Sequence, residues 1–438
     1  MKSPYLLLNA VFLFLIVFHS LDRDIKLESH FPSDLRNRVV GARLQKDKKF
    51  PYSYVWHPAD GSRYFDPSNH NLGTGTSNIT ASPFFHQLLI PFIEWPQRTI
   101  SVFWFVLQYL FLAAMIMMTC SLTGNRTIRW LIVDMGILFT LTEAWKDMIS
   151  AGQMYFFEGF LISLICYALV RNKKSSFAFA GIMAVVFVLT RPIGLVIFIP
   201  FLFCYKKYFI FLGTACISFC LYGLFVLTSN YQQDLYRNYA ESMKTDVLIH
   251  QGLYKPGIAS QPESDPFPVL EGFDSRKARA LEIKDHIPVY TESGNIFVVY
   301  DMITRSRIPI YILNIVSAST VLLLSILFFF RNRGFPVNEL QIVLFAFTLY
   351  MIVELFIPVH RHQYNTVQWF PLVLSGLVLN RSWKSPEFIL LLLGLLLNIS
   401  NTGWIPMRHT IGELCWLTAI LILVFSPDIN TDTWKLQS

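Results

Sequence analysis

Residues 98–120 read RTISVFWFVLQYLFLAAMIMMTC, an apolar run with one basic residue at its start and no charge after it. A helix of this length crosses a hydrocarbon core of about 30 Å, and only a helix satisfies its own backbone groups there. Runs of the same kind recur at 4–21, 128–144, 153–170, 176–190, 192–205, 208–228, 308–330, 338–357, 364–380, 386–401 and 409–425, making twelve candidate spans. The 438 residues are 53% hydrophobic and only 15% charged, too apolar for an ordinary soluble chain. The expected fold class is therefore all-α: a polytopic integral membrane helical bundle forming a single domain over residues 1–438.

The formal charge of +7 comes from short basic clusters between spans, which orient a membrane protein, and no nucleic-acid partner is called for. With the amino terminus inside and 176–190 and 192–205 both crossing, Arg126/Arg129, Arg171/Lys173/Lys174, Lys206/Lys207, Arg331/Arg333 and Arg381/Lys384 all face the cytoplasm. One span over 176–205 would split these clusters between the two faces. Both termini are thus expected inside. Pro4–Leu21 follows a Lys like a signal peptide but precedes no small-residue cleavage site, so it reads as a retained anchor. The six cysteines lack CxxC spacing and read as packing residues.

Two long polar segments, 22–97 and 229–307, then lie outside, and long loops on one face usually carry the work. Helical spacing at 34–46 and an amphipathic stretch at 83–95 suggest short interfacial helices in the headgroup plane; 232–249 and 275–287 are helix-like in the second segment. The ionisable and amide residues not dismissed as solvated loop groups are Asp34, Asp134, Glu143, Lys146, Asp147, Gln153, Glu158, Arg191, Glu354, His360, Arg361, His362 and Gln363. Placing such a group within a membrane helix costs about 2.5–3.5 kcal/mol, which makes each a functional candidate. Most fall near the outer end of a span, which implies one external cavity.

Several of these residues stand in familiar surroundings. Asp34 opens DLRNRVVGAR, which contains Arg38 and precedes Pro51-Tyr52; Ser82-Pro83-Phe84-Phe85 follows, with Pro91 and Pro96. Gly152-Gln153, Gly181, Arg191-Pro192 and Lys206-Lys207 come next, and His360-Arg361-His362-Gln363 precedes Trp369-Phe370-Pro371. In order and spacing this set resembles glycosyltransferase family 87, the polyprenyl-phosphate-mannose-dependent mannosyltransferases of the C-type membrane fold. The chain departs from that pattern at Asn78–Pro83, at Arg191 where Lys is common, and at Asn238–Ser242 where Asn-Gln-Ser is usual, which bears on the acceptor more than on the reaction.

The resemblance implies transfer of a hexose, mannose being expected, from a polyprenyl-phosphate donor to a glycolipid or glycan acceptor on the outer face of a bacterial inner membrane. Inverting transfer needs one carboxylate to take the acceptor proton and cations to receive a departing phosphate. Asp34 is the expected base. Arg191, His360, Arg361 and His362 are the expected phosphate partners, with Gln153, Arg38 and Tyr52 also on the substrate. No cofactor is expected beyond the donor, and the need for a divalent ion is left open.

Each assignment has a competitor. Asp34 is also a favoured helix N-cap, and Asp22 and Asp24 imitate the Asp-x-Asp of other C-type transferases. Arg191 could snorkel to the interface, and the His360/His362 pair could cap a helix or hold a metal. A flippase of lipid-linked sugars would carry the same external cations to bind phosphate without reaction, whereas a polysaccharide polymerase or ligase would call for more numerous external Arg residues.

Overall fold

A computed structural model describes residues 3–28, 32–54, 58–64, 80–253, 294–334, 337–359, 361–380, 382–399, 405 and 407–426. His360 and the helix-like piece at 275–287 lie outside the described residues. Helices follow one another without a strand among the described residues: α1 (Ser3–Glu28), α2 (Ser33–Lys46), α3 (Pro83–Leu89), α4 (Gln97–Cys120), α5 (Arg126–Leu138), α6 (Glu143–Ala151), α7 (Tyr155–Val170), α8 (Lys174–Thr190), α9 (Ile199–Phe203), α10 (Tyr205–Leu227) and α11 (Asn230–His250). The helices Ile296–Thr304, Ile310–Gly334, Glu339–Leu355, Phe370–Leu379, Pro386–Ile399 and Arg408–Phe425 complete the order.

Four of these, α4, α10, Ile310–Gly334 and Arg408–Phe425, are long and apolar enough to cross a membrane on their own. A fifth crossing results if α6 and α7, bent by 115° at their junction, are counted as one span. Apart from the continuous 26-residue α1, the other expected spans fold as shorter or broken helices, so these helices alone do not reproduce a count of twelve. Proline accounts for two of the breaks: Pro192 opens the 3-10 segment Pro192–Phe198, and Pro371 lies in the first turn of Phe370–Leu379, just after the 3-10 segment Gln363–Trp369. Pro has no N–H to give the preceding turn, and its ring crowds the carbonyl four residues back.

Glu339–Leu355 is buried along almost its whole length and forms the axis of the core, beside α7, the segment Pro192–Phe198 and Arg408–Phe425. Aromatic rings fill the gaps, with Phe328 stacked on Phe345 at 4.1 Å and Phe139 on Phe370 at 4.2 Å. All six cysteines are free thiols.

Two expectations about the first external segment need correction. It does not begin at residue 22, because α1 continues to Glu28 and carries Asp22 and Asp24 in its last turns. Nor does α2 lie with one face in lipid, since every residue from 35 to 42 is buried in protein. Leu35, Val39 and Ala42 pack with Phe85, Leu89 and Trp104 of α3 and α4, while Val40 and Leu44 face Tyr52, Tyr64 and Leu235. With apolar residues on two sides, α2 is clamped between α3 and α11, which gives its polar side chains a fixed direction.

Candidate active site

Asp34 sits in the first turn of α2, and Arg38 follows one turn later on the same face. Gln153 comes to both from the α6–α7 turn: its Nε2 donates to Asp34 Oδ2, and its Oε1 accepts from Arg38 Nη2. The preceding residue explains the approach. Gly152 ends α6 in the left-handed region at φ 66°, and a β-carbon there would lie 2.6 Å from Pro32 Cβ and 2.8 Å from Leu35 Cβ. Only glycine lets the start of α2 press onto this turn.

Two residues beyond Gln153, the ring of Tyr155 lies 5.5 Å beneath the Arg191 guanidinium. Arg191 ends α8, where its side chain is gripped by Glu354 through Nε to Oε1 at 2.7 Å and Nη2 to Oε2 at 2.9 Å. The grip continues as a buried chain: Tyr350 Oη donates to Glu354 Oε1 at 2.9 Å, and Gln368 Nε2 donates to Tyr350 Oη at 2.9 Å and to Glu158 Oε2. Arg38, Arg191 and Glu354 all act electrostatically on both Tyr155 and Glu158. Asp34, Arg38, Gln153 and Arg191 therefore occupy one neighbourhood.

His362 reaches the same centre through rings, stacking on Tyr364 at 4.8 Å, which stacks on Tyr155 at 5.5 Å. Arg361 is near enough to act on Glu354, but it is 3% exposed and its Nη1 is held by Glu413 at 2.6 and 2.7 Å, which Thr366 also caps at 2.5 Å. That is a buried structural ion pair, since a guanidinium so enclosed needs its counter-charge in place. Gln363 donates to Asp147 of α6.

Tyr52 lies behind α2. Its hydroxyl donates to Ala81 O at 2.7 Å, and its ring stands 5.1 Å from Tyr239 of α11 and 5.9 Å from His86 of α3. His86 fills the space left by Gly41, where a β-carbon would meet its Nε2 at 2.6 Å. Burial and the nearby Arg38 push the imidazole down to about 3, so it is neutral at physiological pH.

The alternative acidic pair is engaged elsewhere. Asp24 is fully buried and accepts from Tyr109 Oη and Trp145 Nε1, both at 2.7 Å, while Arg23 holds its other oxygen at 2.8 Å. It ties α1 to α4 and α6. Asp22 pairs with Lys26 at 2.6 Å on an exposed surface.

Sequence reasoning passed over His86, Tyr350, Gln368 and Glu413, and met Tyr239 only inside the divergent stretch Asn238–Ser242, with no role given to it. Glu413 carried a usable signal, being a carboxylate inside an apolar run. His86 and Tyr239 carried none, because their place depends on how α3 and α11 pack against α2.

The described architecture is thus an all-helical protein with several membrane-length apolar helices and a carboxylate–amide–guanidinium cluster where four of its elements meet. Residues 80–251, which include Gln153, Glu158, Arg191 and Tyr239, match the model of glycosyltransferase family 87. Over that stretch the chain is similar to glycosyltransferase family 87, which supports a glycosyltransferase activity. No curated protein and no solved structure matches it.

Proposed function

We propose that the protein transfers a hexose, mannose being the expected one, from a polyprenyl-phosphate carrier to a glycolipid or glycan acceptor, with inversion, on the outer face of a bacterial inner membrane. Asp34 takes the proton of the acceptor hydroxyl as its oxygen bonds to the anomeric carbon. The bond from that carbon to the phosphate oxygen breaks, and the carrier leaves as a phosphate monoester with one added negative charge. Arg191, steered by Glu354, and His362 receive that charge, and the partly exposed edge of Arg191 is the part open to it. The segment 229–307 is assigned to the acceptor, with Tyr239 of α11 near enough to feel the charge of Arg191.

The observation that carries this reading is the short path from Asp34 through Gln153 to Tyr155 and Arg191, a carboxylate and a cation 157 residues apart in sequence (191 minus 34) facing one centre. A base and an anion-stabilising group within one site are what displacement of a phosphate from a sugar requires. The donor is tested with membranes carrying the protein and radiolabelled polyprenyl-phosphate-mannose, against the same sugar on a nucleotide. Label passing into lipid extract from the polyprenyl carrier alone is the expected outcome. Transfer directly from the nucleotide sugar would refute the carrier assignment.

A further inference from the structure

We propose that Gln153 is a positioning residue for Asp34, an amide spacer that keeps this carboxylate from pairing directly with Arg38, and is not a ligand of the sugar or the phosphate. The inference rests on Asp34 being the base. Asp34 and Arg38 stand four residues apart on α2, the spacing at which Asp and Arg ordinarily form a salt bridge. Here the amide stands between them, taking a hydrogen bond from Arg38 and giving one to Asp34.

The polarity of this arrangement is fixed by chemistry. A guanidinium only donates, so it must meet the amide oxygen; the NH2 then faces Asp34, whose oxygen accepts. A direct guanidinium contact would depress the carboxyl pKa and make a weak base, whereas one neutral N–H donor aligns the carboxylate with little loss of basicity. Gln153 is 2% exposed, and the left-handed Gly152 behind it sets its backbone. Those constraints suit a spacer better than a side chain that must close on a substrate.

Several charged and titratable groups of the elements packed against α2 have partners of their own. On α3, His86 lies beside Arg38. On α6, Lys146 pairs with Glu143 and Asp147 receives Gln363, while Arg63, at the opposite end of α2 from Asp34, is held by Asp47 and Glu94. On α11, Tyr231 bonds to the carbonyls of Gln45 and Lys49, also at that opposite end.

The test follows protonation of Asp34 in the full-length protein in detergent, by carbodiimide labelling of the protonated carboxyl across pH with mass-spectrometric readout at Asp34. Gln153→Glu sets a like charge beside Asp34 and is expected to raise the labelling midpoint by about one pH unit. Gln153→Ala lets Arg38 reach Asp34 and is expected to lower it by about as much. A purely structural role would not move the two in opposite directions. In the transfer assay, Gln153→Ala is expected to lose about 10- to 100-fold in kcat with the donor KM little changed. Unmoved midpoints in both variants, or a raised donor KM with an unmoved midpoint, would overturn the proposal. Full transfer by Asp34→Asn would instead remove the base assignment, with any midpoint shifts left standing.

Discussion

Arg191 and Glu354, 163 residues apart, meet through two hydrogen bonds of 2.7 and 2.9 Å, with the carboxylate fully buried and the guanidinium partly open. The pair joins the end of α8 to the helix at the core axis, so one contact both closes the bundle and aims a cation at the site.

Removing the counter-charge should therefore be costly. Glu354→Gln leaves Arg191 without a carboxylate in a largely enclosed setting, and breaking a buried pair in this way typically costs about 3–5 kcal/mol. A fall of several degrees in the midpoint of thermal unfolding in detergent is expected. An unchanged midpoint would mean that the pair is solvated and mechanically idle.

The clamp of Arg361 on Glu413 makes a different prediction, because it reaches no open surface. Arg361→Met alone should destabilise the protein by about 3–5 kcal/mol, whereas Arg361→Met combined with Glu413→Leu should recover most of that loss. A double variant as unstable as the single one would show that the charges are needed for more than balance.

Gly152→Ala should be the most disruptive of the small substitutions near the site. The added carbon is disfavoured at φ 66° by about 1–2 kcal/mol and would collide with Pro32 and Leu35. The start of α2 should lift away, taking Asp34 from Gln153, with transfer falling at least 10-fold for a displacement of about 1 Å. Retention of wild-type transfer would show that α2 does not need this seat.

His86 ties stability to pH. Its folded-state value of about 3 lies below the ordinary 6.5, so the unfolded chain binds more protons between those limits. This site should lose stability as pH falls from about 6.5 towards about 3, and regain it on returning to neutrality. Amide hydrogen exchange of α3 should quicken over that window, and His86→Phe should flatten the dependence. Equal pH dependence in wild type and variant would exclude the imidazole as its source.

The helical class and most element positions were legible because apolar runs are read along the chain, one residue after the next. The helix expected at 34–46 is found at Ser33–Lys46, and that expected at 232–249 at Asn230–His250. The reading of α2 as interfacial failed for a physical reason. Leu35, Val39 and Ala42 mark a buried face, but sequence does not say whether lipid or protein buries it. Arg361 stands with Arg191 and His362 as a conspicuous cation, yet the carboxylate that neutralises it lies 52 residues further on, in another helix. The pairing that gives Gln153 its place, with Asp34 across 119 residues, was equally out of reach of local pattern.

The most direct measurement is sugar transfer from radiolabelled polyprenyl-phosphate-mannose into lipid extract by purified, folded Asp34→Asn beside wild type. Asparagine keeps the shape and cannot take the proton, so transfer by the variant should fall by about 100-fold or more. Wild-type rates from the Asp34→Asn protein would contradict a carboxylate base at this position.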